Sequence, residues 1–163
     1  MTGVLSDSLR IVVDDLSGPE VAELLQRHLA FAALQSPKES MHALDIDGLR
    51  AEAITFWTAW RGVEDRADLV GCIALKELDP GHGEIKSMHT AETARGQGIA
   101  RKLVEHLMAE AGRRGYRRLS LETGTPEAFA PARALYTSLG FKPCPPFAGY
   151  FVDPFSICMT KTF

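Results

Sequence analysis

No apolar run in this 163-residue chain approaches the roughly 18 residues needed to span a bilayer, so no membrane role is expected. Residues 1–7 lack the basic start and apolar stretch of a secretory leader. Cysteine is scarce. Cys72, Cys144 and Cys158 are widely spaced and odd in number. That argues against a disulfide framework and a zinc site, and points to a reducing cytoplasm. None of the five histidines has the spacing of a metal-ligand set, so no metal is expected. The chain also lacks a basic excess. Its net charge is −3, and no aromatic residues interleave with basic ones, which argues against a nucleic-acid partner. Internal repeats, low-complexity segments and linkers are missing too. The expectation is a single domain over 1–163, long enough for a sizeable core.

The charge that is present is unevenly placed. Arg95, Arg101, Lys102, Arg113, Arg114, Arg117 and Arg118 outnumber Glu105 and Glu110 in the same stretch, so the rest of the chain is acidic. Either this is a solvated helix face, or part of it serves a local anion site.

Leu9, Ile11 and Val13 alternate and predict an opening strand over 9–14. Ser17-Gly18-Pro19-Glu20 has the form of a capping box with proline at the first helical position. Val21, Leu24, Leu25, His28, Leu29 and Ala32 then follow at helical spacing, ending near Ser36-Pro37. His28 reads as a structural histidine on that stripe. Segment 38–53 predicts a loop with a short helix near 47–51. Strands follow at 54–61 and 69–78, the second almost wholly apolar with Gly71 inside it. The turn at 79–83 leads to a strand over 84–90. Short turns between these strands imply an antiparallel meander.

Ile99, Ala100, Leu103, Val104, Leu107, Met108 and Ala111 mark a helix, with Arg113, Arg114 and Gly115 at its end. The next strand, 116–123, is separated from 84–90 by that helix. The two should therefore run parallel through a right-handed crossover. A further helix starts near Pro131 and stops at Gly140. Prolines 143, 145 and 146 cut short the strand that begins at Phe141, and 156–161 closes the chain.

Between the 84–90 strand and its helix lies Arg95-Gly96-Gln97-Gly98-Ile99-Ala100. A glycine loop that feeds a helix can hold a phosphate, because the first-turn N–H groups lack partners and carry partial positive charge. A Walker loop would need Gly-Lys-Ser/Thr, and Gly98 is followed by Ile99-Ala100. A dinucleotide fingerprint would need Gly or Ala where Arg101 stands, and would follow the first strand of a doubly wound sheet.

The hexapeptide matches every fixed position of the Arg/Gln-x-x-Gly-x-Gly/Ala loop of the GCN5-related N-acetyltransferases. Leu135-Tyr136-Thr137-Ser138-Leu139-Gly140-Phe141 also resembles that family's late helix, and the order of elements agrees. The resemblance implies the α/β (α+β) GNAT fold. That is a mixed central sheet of six to seven strands, an antiparallel meander and then a parallel splayed pair, flanked by about four helices. It implies acetyl-CoA as cofactor and acetyl donor. The backbone of Arg95, Gly96, Gln97, Gly98, Ile99 and Ala100 would cradle the pyrophosphate. The pantetheine arm would lie along Met88, His89 and Thr90 like an added strand.

Within that resemblance, transfer to an amine is direct. Tyr136 matches the family's tyrosine acid beside the sulfur. Glu84 is the first choice of base and Glu122 the second. A Met88 or His89 amide would face the developing oxyanion. The family often has asparagine where this chain has Phe129, so no cofactor contact is carried over there. Cys144 has no helix terminus or fixed histidine to activate it, which disfavours a covalent relay.

The acceptor pocket is expected from the variable segments: His42, Trp57, Phe147 and Tyr150. No partner module follows the last strand, which favours a small-molecule or amino-acid-like amine. Two alternatives stay open: a ribosomal-protein-type N-terminal acetyltransferase, and a non-catalytic acyl-CoA-binding sensor. A homodimer is expected by analogy alone.

Overall fold

The structure, a computed structural model, describes residues 8–40 and 43–163. Seven strands form one sheet: β1 (Leu9–Val13), β2 (Ile54–Arg61), β3 (Asp68–Asp79), β4 (His82–Thr90), β5 (Arg118–Gly124), β6 (Lys142–Cys144) and β7 (Ser156–Thr162). Their order is β1-β2-β3-β4-β5-β7-β6. β1 to β4 are an antiparallel meander, and β4 and β5 are parallel. The described α-helices are α1 (Pro19–Gln35), α2 (Ile46–Leu49), α3 (Ile99–Arg113) and α4 (Ala130–Ser138). The mixed sheet and its helices match the fold expected from the sequence. One feature of order was not anticipated: β7 inserts between β5 and β6.

Two cores explain the nearly continuous apolar run of β3. Ile73 and Leu75 point to one face and pack beneath Leu103, Val104 and Leu107 of α3. Cys72 and Ala74 point to the other, against Val21, Leu24 and Leu25 of α1 and Leu49 of α2. A strand covered on both faces loses the usual polar alternation. Gly71 is required by close approach, since a Cβ there would stand 2.9 Å from Leu103 Cδ1 and 3.0 Å from the His89 carbonyl.

The same two-sided burial overturns the placement of Trp57. Its neighbour Phe56 enters the α1 core, so Trp57 must enter the α3 core. It is 3% exposed and its ring meets His106 edge-on at 5.7 Å. It is a core residue and not a wall of the acceptor pocket. The capping box is also corrected. Gly18 is the N-cap of α1 and offers no side-chain cap, while the Ser17 hydroxyl donates to Asp15. Pro19 at the first helical position marks the start instead, with its φ preset for the helix and no N–H left to satisfy.

Candidate active site

The site arises where the sheet comes apart. β4 pairs with β5 only from His82↔Arg118 to Ile85↔Leu121. β4 then continues to Thr90, while β5 stays with β7 as far as Gly124. The two parallel strands diverge beyond Ile85 and leave a wedge between them. On its other edge β4 bulges. Cys72 pairs with His89 and Ala74 with Lys86, so Ser87 and Met88 together oppose Ile73. Ser87 takes φ +54 at that point. The wedge opens into a cleft of about 890 Å³.

At one end of the cleft stands the glycine loop. Gly96 and Gly98 have φ +76 and +81, a left-handed backbone that disfavours any side chain. Gly98 is the N-cap of α3, with no side chain capping the helix. The open N–H groups of that first turn therefore face a cleft wall made by Gly96, Gly98, Ile99, Ala100 and Arg101. Arg95 lines the cleft too; its guanidinium lies 5.5 Å from the Phe31 ring centroid. Met88, His89 and Thr90 line the strand side. Gln97 alone of the predicted cradle residues turns its side chain elsewhere, accepting from Arg61.

Tyr136, on α4, is buried and lines the cleft. It is 4% exposed, its ring packs on Phe141 at 5.8 Å, and burial pushes its hydroxyl above the ordinary tyrosine range. Among the described residues that hydroxyl has no hydrogen-bond partner.

Glu84, on β4, lines the same cleft, with a side chain 3% exposed. Lys86, two residues on and so on the same face of β4, places Nζ 3.2 Å from Glu84 Oε2. Tyr150 donates to the same oxygen and accepts from Lys86 Nζ at 2.9 Å. The three form a closed polar triangle at the cleft wall. Burial and the adjacent Glu84 charge keep the Tyr150 phenol protonated. Glu84 Oε1 carries no bond among the described residues. Glu122 also lines the cleft and accepts from Ser156 Oγ at 2.5 Å.

Two histidines meet across the cleft wall. His28 Nδ1 on α1 and His89 Nδ1 on β4 are 3.2 Å apart. One ring donates and the other accepts, so the accepting ring is neutral. Burial drives His28 down to about 4 and His89 to about 3. His28, expected to be purely structural, lines the cleft. Phe31 of α1 and Phe129 before α4 touch edge-to-face at 5.4 Å where the family often has asparagine.

The remaining predicted residues separate. Tyr150 lines the cleft. Phe147 does not. It stands behind Tyr150, ring centroids 5.1 Å apart, and packs on His82 at 5.9 Å. His42 lies outside the described residues. Cys144 is half-buried and faces Cys158 across β6 and β7, and burial raises its thiol, so it is not an activated nucleophile. Sequence reasoning missed Lys86, Ser87 and the His28–His89 contact. Lys86 was signalled by Glu84-x-Lys86, an i,i+2 charge pair in an otherwise buried strand. The other two left no local signal.

Comparison with known proteins gives a consistent result. The model of the acetyltransferase (GNAT) family matches residues 19–141. The chain is 52% identical to the uncharacterized N-acetyltransferase YsnE of Bacillus subtilis (strain 168), across 94% of this chain and 99% of that one. It is 40% identical to an IAA acetyltransferase of Azospirillum brasilense, across 77% and 78%. A Bacillus subtilis acetyltransferase solved in complex with CoA shares the fold, with a TM-score of 0.68 at 20% identity over 96% and 99%.

Proposed function

The chain belongs to the acetyltransferase (GNAT) family and is an N-acetyltransferase, and on that premise we propose that it moves acetyl from acetyl-CoA directly to the amine of a small or amino-acid-like acceptor. The observation that carries this reading is the wedge between β4 and β5. It joins an uncapped, glycine-opened helix terminus to Tyr136 and Glu84 in one continuous cleft. The fit to CoA rests on the chain's own groups. The backbone donors at 96–101 suit a pyrophosphate, and the strand edge beyond Lys86 suits the amides of a pantetheine arm.

Acetyl-CoA, when bound, supplies a thioester whose acyl carbon accepts a nucleophile. The rest is done by side chains. Glu84 offers Oε1 to an acceptor N–H while Lys86 and Tyr150 hold Oε2 in place. It takes the amine proton as the C–N bond forms. Tyr136 stays protonated in its buried setting and gives its phenolic proton to the departing sulfur as the C–S bond breaks. Solvent exchange then resets both groups. Tyr150, held against Glu84, narrows the cleft beside the base, which favours a compact acceptor. The name of the Azospirillum relative, an IAA acetyltransferase, points the same way.

The test is amine-dependent release of free CoA from acetyl-CoA across an amine panel, with products identified by mass spectrometry. Tyr136→Phe should lower kcat on the order of 100-fold. Its melting temperature should hold, because the hydroxyl has no partner among the described residues. Tight acetyl-CoA binding without amine-dependent release would sink the enzyme reading in favour of a sensor. Acetylation of protein N-termini but of no small amine would replace the acceptor class.

A further inference from the structure

Ser87 is the residue whose condition the fold alone does not explain. It sits in the β4 bulge, two residues past the last β4–β5 pair, with φ +54 in a residue that is not glycine. It is 8% exposed, and its hydroxyl is buried with no hydrogen-bond partner. A buried hydroxyl without a partner is costly, and such groups in native structures call for a cause. The backbone around it is held in place. Cys72 Sγ donates to the Ser87 carbonyl at 3.3 Å, and Cys72 pairs with His89 on the far side of the bulge. Ser87 itself lines the cleft, between Lys86 and Met88. A left-handed residue, a broken register and an unsatisfied polar atom coincide at the vertex of the wedge. Strain of this kind collects where a ligand completes the site.

We propose that the Ser87 hydroxyl donates a hydrogen bond to the acyl carbonyl oxygen of bound acetyl-CoA, alongside the Met88 amide. The inference rests on the reading of the cleft as an acetyl-CoA site. Residues 88–90 offer backbone groups to the pantetheine amides. Ser87 lies one step nearer the last β4–β5 pair, in the same cleft that Tyr136 lines, so the acyl end of that arm would come to it. The acyl oxygen can only accept. A hydroxyl with no other acceptor is free to give its proton there, and the bond tightens as negative charge grows on that oxygen. The chain thereby adds a side-chain donor to a backbone one, and the bulge is what turns it inward.

Two variants separate this role from a structural one. Ser87→Ala removes the hydroxyl and keeps the left-handed strain. Ser87→Gly removes both. Calorimetry with CoA and with acetyl-CoA, thermal melting and steady-state kinetics are measured on each. Both variants should bind CoA as the wild type does, and lose the tighter binding of acetyl-CoA over CoA. Both should lose kcat on the order of 10–100-fold. Ser87→Gly should melt at or above the wild-type temperature, which shows that the loss is not one of folding. If Ser87→Gly keeps both the wild-type kcat and the preference for acetyl-CoA, the hydroxyl is only a passenger of the bulge and the proposal is wrong. If the wild type binds neither ligand, the cleft reading falls and this inference falls with it.

Discussion

Lys86→Met tests the polar triangle at the cleft wall most directly. Methionine keeps most of the volume and the unbranched stem of lysine while removing the ammonium. Glu84 and Lys86 are 3% and 9% exposed in their side chains, so neither charge is rescued by water. Breaking a buried ion pair by deleting one partner costs about 3–5 kcal/mol, since the survivor stays buried without compensation. Here Tyr150 still donates to Glu84, which offsets part of the cost and places the loss near 3 kcal/mol. For a chain of this length 1 kcal/mol moves the melting temperature by about 2–4 °C, so the fall should be about 6–12 °C. The Glu84→Gln/Lys86→Met double variant removes both charges and leaves an acceptor for Tyr150. It should recover most of that fall, because replacing a whole buried pair is far milder than halving it. Calorimetric melting and urea titration of the wild type, the two single variants and the double variant complete the cycle. A Lys86→Met protein within about 0.5 kcal/mol of wild type, the scatter ordinary for surface changes, would refute the argument. So would a double variant as unstable as Lys86→Met, since the cost would then not lie in an unpaired charge.

Two further outcomes follow from the same structure. His28 and His89 are held neutral, at about 4 and about 3, against about 6.5 in an unfolded chain. The unfolded state therefore binds more protons below pH 6.5, and stability is full above that value and falls as pH drops toward 4. Each ring should cost about 2 kcal/mol between pH 7 and pH 5, and His28→Phe should flatten the slope in urea titrations. Equal slopes in variant and wild type would count against the neutral pair. Gly98→Ala meets no atom within 4 Å, so its cost is conformational: about 1–2 kcal/mol for a side chain at φ +81. It should also weaken CoA binding more than tenfold as measured by titration, and an unchanged affinity would show that the phosphates sit elsewhere.

Much of the fold could be read from local signals. The elements of the meander announce themselves by alternation and by short turns, the α3 stripe by its 3.6-residue spacing, and the loop before α3 by glycines whose left-handed backbone almost no other residue tolerates. Those are properties of neighbours in the chain. Their causes, steric exclusion and the period of a helix or strand, act over a few residues and so leave a mark in the sequence. The resemblance of the loop and of the Tyr136 helix to a known family then joined these pieces into one architecture.

What the sequence could not decide was which faces and which distant residues meet. The apolar β2 strand gave no sign that Trp57 faces α3, because a strand buried on both sides has no polar face to orient it. Tyr150 reaches Glu84 from 66 residues away, and His28 reaches His89 from 61. Such contacts depend on how the assembled sheet places a loop or a helix, and no spacing rule links their positions. The bulge at Ser87 belongs to the same class. It exists because β4 must keep pairing with β3 while parting from β5, and the conflict is resolved in three dimensions by one residue in a left-handed turn. The sequence by itself thus determined the loop, the elements and the family they belong to. The tertiary structure decided the charge triangle, the histidine pair and the inward hydroxyl, because each is made by elements that meet only after the sheet has formed.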